Sequence, residues 1–474
     1  MKIPKSIVLF LLSFVCNISA QEMNSDNQEI TEAYNLATNT IKINTRRGIL
    51  AAGGDYGGEW TRDISVNSWN GVSLIYPAVA EKSLWSVTIG KDTVGHQFWD
   101  KIIWVIAAYN HYKITGDLAF LKDAYRCAAN TMNQLEEMTF DKEYGLFKGP
   151  SFFNDGIAAY PEPIYEQNNF SSFVLDYKNS YKIKCLSTNC LYYGAYAALI
   201  QMSRLLNEAN TISSTYELKA RDLKNNIQKY FYDKDNNKLY YLIDQNGNVS
   251  KYQEGTGISF AIMFGILDSD KAHQLISNAE VSKYGITSIY PDFPRYSSEK
   301  PGRHNNIVWP VVNGFFAQAA ALTRSYDKFS NELNNLTSLA LDEDKGNYNF
   351  REIYNPYTGK PDGGYQDRGK EDPYYHWESC RLQTWSATAY INMIYYGLAG
   401  LRINNNDISF SPFLPSNIHY LELNNIIYRK SRLNIVIKGN GSKIKTFLLN
   451  GKKQSQYSID QSIKGINKII IEVE

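Results

Sequence analysis

Eleven or twelve stretches with apolar residues at helical spacing, joined by links that alternate between short and long, constrain this chain more than any other feature. Residues 27–44 carry Ile30, Tyr34, Ala37 and Ile41, one stripe of a helix. Residues 64–76 and 78–87 read as two more segments broken at Pro77. Residues 98–114 are apolar and aromatic throughout, the pattern of a buried helix. Further segments follow at 118–138, 189–206, 214–231, 258–267, 271–278, 307–322 and 329–340, with a last strong helix at 383–398. Within a pair the link is short: 116–117, 207–213, 268–270, 323–328. Between pairs it is long: 139–188, 232–257, 279–306, 341–382. Long irregular loops in a compact domain are usually functional. Hairpins joined this way put every long loop at one end. The expected fold is therefore mainly α, an (α/α)6 toroid of helical hairpins with one loop-built mouth. An open helical solenoid is the rival, and the lack of a fixed repeat period disfavours it.

After Gly400 the period changes to short alternating runs at 408–412, 420–423, 426–428, 433–438, 443–449 and 468–473. Gly439-Asn440-Gly441 and Asn450-Gly451 supply turns. These predict a small C-terminal antiparallel β domain over 403–474, after a toroid over 21–402. Residues 1–20 read as a secretory signal peptide: Lys2 and Lys5, an apolar run at 7–15, then Ile18-Ser19-Ala20 with cleavage expected after Ala20. Cys16 offers a lipid anchor, but the preceding Ser13-Phe14-Val15 puts a bulky valine where a small residue is wanted. The expected location is secreted or periplasmic. No other segment approaches eighteen consecutive apolar residues, so no membrane insertion is expected.

Without Lys2 and Lys5 the 49 basic residues become 47 against 48 acidic ones. That balance argues against nucleic acid or an acidic membrane surface as partner. The remaining cysteines, Cys127, Cys185, Cys190 and Cys380, lack the paired spacing of a zinc site. Cys185 and Cys190 are close enough in sequence for a local disulfide in an oxidising compartment. No cofactor or metal is expected. Tyrosine marks the composition: 36 Tyr beside 8 Trp and 21 Phe suit a wide, aromatic-lined cleft.

The densest cluster is Gly53-Gly54-Asp55-Tyr56-Gly57-Gly58-Glu59-Trp60-Thr61-Arg62-Asp63. It lacks the Lys-Ser/Thr ending of a phosphate-binding loop. Carboxylates, an arginine and an indole suit a neutral polyol: charged groups bind hydroxyls, and the aromatic face takes the C–H face of a ring. Asp63 as a plain helix N-cap is the bland alternative. In the long loops, Asp155 lies between aromatics and glycine, where desolvation raises a carboxyl toward general-acid duty. Glu162 and Glu166 compete with it. His304 and Trp309 introduce one helix, and His304 reads as a sugar-hydroxyl donor. Glu352 sits in Phe350-Arg351-Glu352-Ile353-Tyr354-Asn355-Pro356-Tyr357-Thr358-Gly359, followed by Tyr375-His376-Trp377-Glu378 and then Trp385. Two carboxylates on separate loops facing one cleft are what glycoside hydrolysis requires. Trp60, Tyr354, Trp377 and Trp385 are the further candidates for substrate contact.

Trp60-Thr61-Arg62-Asp63, Val308-Trp309-Pro310, Glu352–Gly359 and Trp385-Ser386-Ala387 resemble, in that order, motifs of the six-hairpin (α/α)6 glycosidases. The nearest likeness is to the glycoside hydrolase family 63-like group that includes mannosylglycerate hydrolase. The resemblance spans about residues 44–400. It implies inversion, with Glu352 as general base and a middle-loop aspartate as general acid. Asp155 matches best, although relatives show Gly-x-Asp-Asn where this chain has Asn154-Asp155-Gly156, and Glu162 is the reserve. It further implies that Arg62 and Asp63 bind the deepest sugar and that Trp309 shapes its subsite. Asn189, also within a family-like motif, reads as structural. The resulting expectation is an exo-acting hydrolase of an α-linked hexoside, an oligosaccharide or small glycoside. A polysaccharide lyase or a non-catalytic glycan binder on the same toroid are the alternatives.

Overall fold

The computed structural model describes residues 21–95, 100–151, 160–164, 171, 173–302, 304–366 and 375–474. Residues 1–20, expected to be a signal peptide, Asp155 and Glu166 lie outside them. The helices are α1 (Gln28–Ile43), α2 (Thr61–Asn67), α3 (Ser73–Ile75), α4 (Pro77–Ser86), α5 (Lys101–Thr115), α6 (Leu118–Thr139), α7 (Leu186–Leu205), α8 (Asn210–Phe231), α9 (Gly255–Met263), α10 (Ser269–Ser277), α11 (Pro310–Leu322), α12 (Tyr326–Leu341) and α13 (Thr384–Asn392). A π turn at Ser68–Val72 joins α2 to α3, and another at Met393–Leu398 extends α13.

Six of these form an inner ring. In order around the axis, α2, α5, α7, α9, α11 and α13 each pack on the next, and α13 returns to α2. Helices α1, α4, α6, α8, α10 and α12 form the outer layer. The division follows composition: every residue of α2 and α13 is buried, whereas α6, α8 and α12 bury only one stripe. Ring closure needs a small residue. A Cβ on Gly71 would lie 2.6 Å from Cγ2 of Ile391, so α13 can approach the α2–α3 rod only because Gly71 has no side chain.

Local signals set the hairpin turns. Gly116 ends α5 in the left-handed region at φ 68°, and Asp117 caps α6 by accepting from Ala119 N at 2.8 Å and Phe120 N at 3.1 Å. Asn27 caps α1 through Ile30 N at 3.2 Å. Pro310 opens α11, where its missing N–H is harmless, so that helix starts three residues later than the apolar run suggests.

The C-terminal sheet departs from expectation in two respects. It is mixed: Ser431–Gly439 pairs in parallel with Gly465–Val473, while its other pairings are antiparallel. It also recruits the start of the chain, because Glu22–Ser25 pairs with the strand Tyr420–Tyr428. A boundary at 402/403 therefore leaves one strand of this sheet on the toroid's side of the sequence. The two runs at 420–423 and 426–428 are one strand with a bulge between Leu423 and Ile426. Asn450-Gly451, both at positive φ, form the two-residue turn before Lys452–Lys453. All four described cysteines are buried free thiols, so the Cys185–Cys190 disulfide is not formed.

Candidate active site

Three inner helices deliver their N-terminal ends to one cavity of about 480 Å³, within the usual size of a small-ligand site. Its lining includes Trp60, Arg62 and Asp63 from the start of α2, and His304 and Trp309 ahead of α11. Glu352, Trp377, Gln383 and Trp385 come from the connection into α13 and its first turn. Of the nine described residues that the sequence offers as general base or for substrate contact, eight therefore share one cavity. The ninth, Tyr354, does not line it and is a correction. Its ring is fully buried, its hydroxyl accepts from Arg351 N at 3.1 Å and donates to Asn349 O at 3.2 Å, and its backbone pairs with Val308. It buttresses the loop from behind. Glu162 is exposed on a turn and lines a different surface hollow with Asp244 and Lys251.

Glu352 is held from several sides. Its N–H donates to Cys380 O at 3.0 Å, and the next residue, Ile353, donates to Ser379 Oγ at 3.0 Å. Downstream, the Asn355 side chain accepts from Tyr357 N at 2.9 Å and Thr358 N at 3.2 Å. The Asn-Pro-x-Thr-Gly motif is thus a turn that fixes the loop carrying the carboxylate. At the carboxylate, Tyr56 donates its hydroxyl proton to Oε2 at 2.9 Å, and His304 Nε2 stands 3.6 Å from Oε1. His304 stacks on Trp309 with centroids 4.1 Å apart, and Trp309 meets Trp385 edge-on at 5.3 Å. His304 has φ 61°, a conformation that costs a non-glycine residue about 1–3 kcal/mol and that clusters at functional sites.

Arg62 and Asp63 are 5% and 4% exposed at the opening turn of α2. Asp63 is not the N-cap. The helix starts at Thr61, with Trp60 in the capping position, so Asp63 sits in the first turn, where the helix dipole favours a negative charge. The Arg62 guanidinium lies 3.8 Å from buried Asp100 and 5.4 Å from the Trp385 ring centre. Arg62 is thereby oriented before any sugar arrives. Glu59 is exposed and does not line the cavity.

Among the lining residues that escape sequence reading, Tyr56 and Gln383 matter most. Tyr56 stands inside the glycine-rich stretch without a role, and only the docking of that stretch against Glu352 gives it one. Gln383 is 1% exposed, and neither its amide oxygen nor its amide nitrogen has a hydrogen-bond partner among the described residues. A buried amide in that state is costly unless a ligand completes it, and adjacent sugar hydroxyls supply both a donor and an acceptor. Its only sequence signal is its place directly before the last helix. Gly53 makes room for it: a Cβ there would lie 2.5 Å from Gln383 Oε1 and 2.9 Å from Cys380 Sγ. The expected structural role of Asn189 is met, since its amide bonds Phe147 N and O at 2.8 and 3.1 Å and Cys185 O at 2.9 Å.

Carboxylates, amides and indoles around one cavity are the equipment for handling a carbohydrate. Residues 73–378, well over half the chain, match the family described as the mannosylglycerate hydrolase MGH1-like glycoside hydrolase domain. The chain belongs to that family. That family is one of glycoside hydrolases, enzymes that act on carbohydrates. Residues 401–452 match the C-terminal domain of glycosyl hydrolase family 65. Curated proteins give no sequence match. Solved structures with a similar fold include a sialidase, at TM-score 0.69 and 16% identity, covering 92% of this chain and 40% of that one. A GH78 rhamnosidase of Bacillus sp. GL1 follows at 0.60 and 11%, covering 95% and 43%. The GH63 mannosylglycerate hydrolase from Thermus thermophilus in complex with glucose gives 0.57 and 14%, covering 76% and 100%. This glycoside hydrolase thus spans less than half the length of the first two and matches the third over its whole length. No helix among the described residues is long and apolar enough to cross a membrane.

Proposed function

We propose that this glycoside hydrolase removes a terminal α-linked hexose from a neutral oligosaccharide or small glycoside by inversion, outside the cytoplasm. The observation that carries the reading is the position of Glu352. Its carboxylate lies in the cavity beside Tyr56 and His304, on a loop that the Asn355 turn locks. In this reading Glu352 draws a proton from a water as that water attacks the anomeric carbon. Asp155 gives its proton to the departing oxygen, and Arg62, Asp63 and Gln383 hold the terminal sugar's hydroxyls. Asp155 and Glu162 share the inter-hairpin connection that sends Phe173 to the cavity, and Asp155 is preferred because Glu162 lines a different hollow. Exo action is supported by the buried clamp at the α2 start, against which one sugar would stop. An α-hexoside is supported by family membership and by the glucose bound in the related mannosylglycerate hydrolase. The signal-like residues 1–20 support export.

The test is proton NMR of fresh product from a panel of α-glucosides, α-mannosides, α-rhamnosides and trehalose. Inversion predicts that the β-anomer of the released hexose appears first. From the other glycosides a first-formed α-anomer would mean retention; from trehalose, whose departing glucose keeps its α configuration, inversion gives both anomers in equal amount and retention gives α alone. Glu352→Gln keeps the shape of the side chain and should cut kcat by at least about 10²–10⁴-fold while leaving substrate binding within a few-fold. Full activity in that variant would remove Glu352 from the mechanism.

A further inference from the structure

We propose that a second cavity, at the opposite end of the toroid axis, binds a small organic anion, a carboxylate or phosphate ester of about monosaccharide size. The cavity is about 360 Å³ and is lined by the far halves of α5, α7 and α11, by Phe264 just beyond α9, and by the segment leading into the C-terminal sheet. Trp309 and Leu322 bracket α11, one at each cavity, which sets them about 20 Å apart along the helix. Two cations face this space, Lys113 and Arg402, and no carboxylate among the described residues lines it. Neither cation meets a carboxylate at ion-pair distance among the described residues.

The neutral groups point the same way. The Gln201 amide oxygen accepts from Asn405 Nδ2 at 2.9 Å, and the Gln318 amide oxygen accepts from Asn392 Nδ2 at 3.2 Å. With both oxygens taken, the two amides offer their N–H groups to the cavity. Arg402 uses Nη1 on the carbonyls of Tyr396 and Leu401, at 2.6 and 2.9 Å, which leaves Nε and Nη2. The result is a set of donors without an acceptor of full negative charge. Trp69 and Phe264, stacked on one another with centroids 6.0 Å apart, add an apolar wall. Helix C-termini gather at this end, and their carbonyls by themselves disfavour an anion. Arg402 neutralises one of those carbonyls, that of Tyr396, and Lys113 is the surplus charge. Burial alone holds its ammonium down at about 8, a cost that an anionic partner would relieve.

Calorimetric titration of the full chain with glucuronate, glucose 6-phosphate and inorganic phosphate tests the assignment and separates the carboxylate from the phosphate source. Saturable binding of at least one of them is expected, weakened about tenfold or more in Lys113→Met and retained in Lys113→Arg. Gln318→Leu should weaken it too, and serves if Lys113→Met fails to fold. Binding should persist in Asp63→Ala, whose change lies at the mouth. No saturable binding of any of the three, unchanged affinity in the Lys113 and Gln318 variants, or loss in Asp63→Ala would each overturn the proposal. The proposal does not depend on which glycoside is cleaved.

Discussion

Replacing Glu254 by glutamine should change how the stability of this enzyme depends on pH. Glu254 precedes α9, is fully buried, and accepts from Ser187 N at 3.0 Å, from the Ser187 hydroxyl and from Thr256 Oγ1 at 3.3 Å. It therefore ties the start of α7 to the start of α9. Burial pushes its carboxyl from the ordinary 4.5 up to about 7, against the opposing pull of the Ser187 hydrogen bonds. Between those two values the folded chain keeps a proton that the unfolded chain has released. Stability is thus greatest below the unfolded value and falls as pH rises through the window. A displacement of that size corresponds to about 3 kcal/mol. With an unfolding entropy of about 2.1 cal/mol/K per residue, a chain this long converts it to a Tm change of about 3 °C. The amide introduced by Glu254→Gln does not titrate. In scanning calorimetry at steps from pH 5 to pH 8, Tm of Glu254→Gln minus Tm of wild type should climb by about 3 °C. A difference that stays constant across that range would refute the account. Glu332, bonded to Asn313 Nδ2 at 2.7 Å and Ile286 N at 3.1 Å and likewise held near 7 by burial, should give a second, separable contribution of the same sign.

Other perturbations address the cavity. Gly53→Ala drives a methyl into Gln383 and Cys380, and should cost about 1–3 kcal/mol and lower kcat/KM, read by Tm and initial rates. Arg62→Met leaves Asp100 without its nearest buried guanidinium, so a loss of about 3–5 kcal/mol is expected along with activity, and a fully stable, active variant would contradict it. Tyr354→Phe removes a hydroxyl that faces the loop and not the cavity. KM should hold while Tm drops by the equivalent of about 1 kcal/mol, and a large KM change would restore Tyr354 to the substrate-contacting set.

The helices are readable because each carries its own evidence. The 3.6-residue stripe of α1 and the Gly116-Asp117 turn are local features, and each appears where the periodicity and turn residues place it. Tyr354 misleads because an aromatic beside Glu352 looks the same in sequence whether it faces the cavity or its own loop. The backbone bridge to Val308 turns it inward. The glycine pair at 53–54 suggests conformational freedom. Its measurable role at Gly53 is space for Gln383, a contact across more than three hundred residues that no local pattern encodes.

The sequence by itself determined the layer structure: which stretches become helices, which links are long, and that these long links carry the carboxylates and indoles. Those properties follow from periodicity, capping and composition, all short-range. Tertiary structure alone decided which of the loop residues meet. Tyr56, His304 and Glu352 converge because the inner ring closes, α13 against α2 across Gly71, and brings the first and last motifs of the chain to one mouth. The same closure brings Lys113 and Arg402 to the other end. It also draws the first strand into the last sheet. Ring closure is a property of the whole chain, so its consequences are absent from every segment read alone.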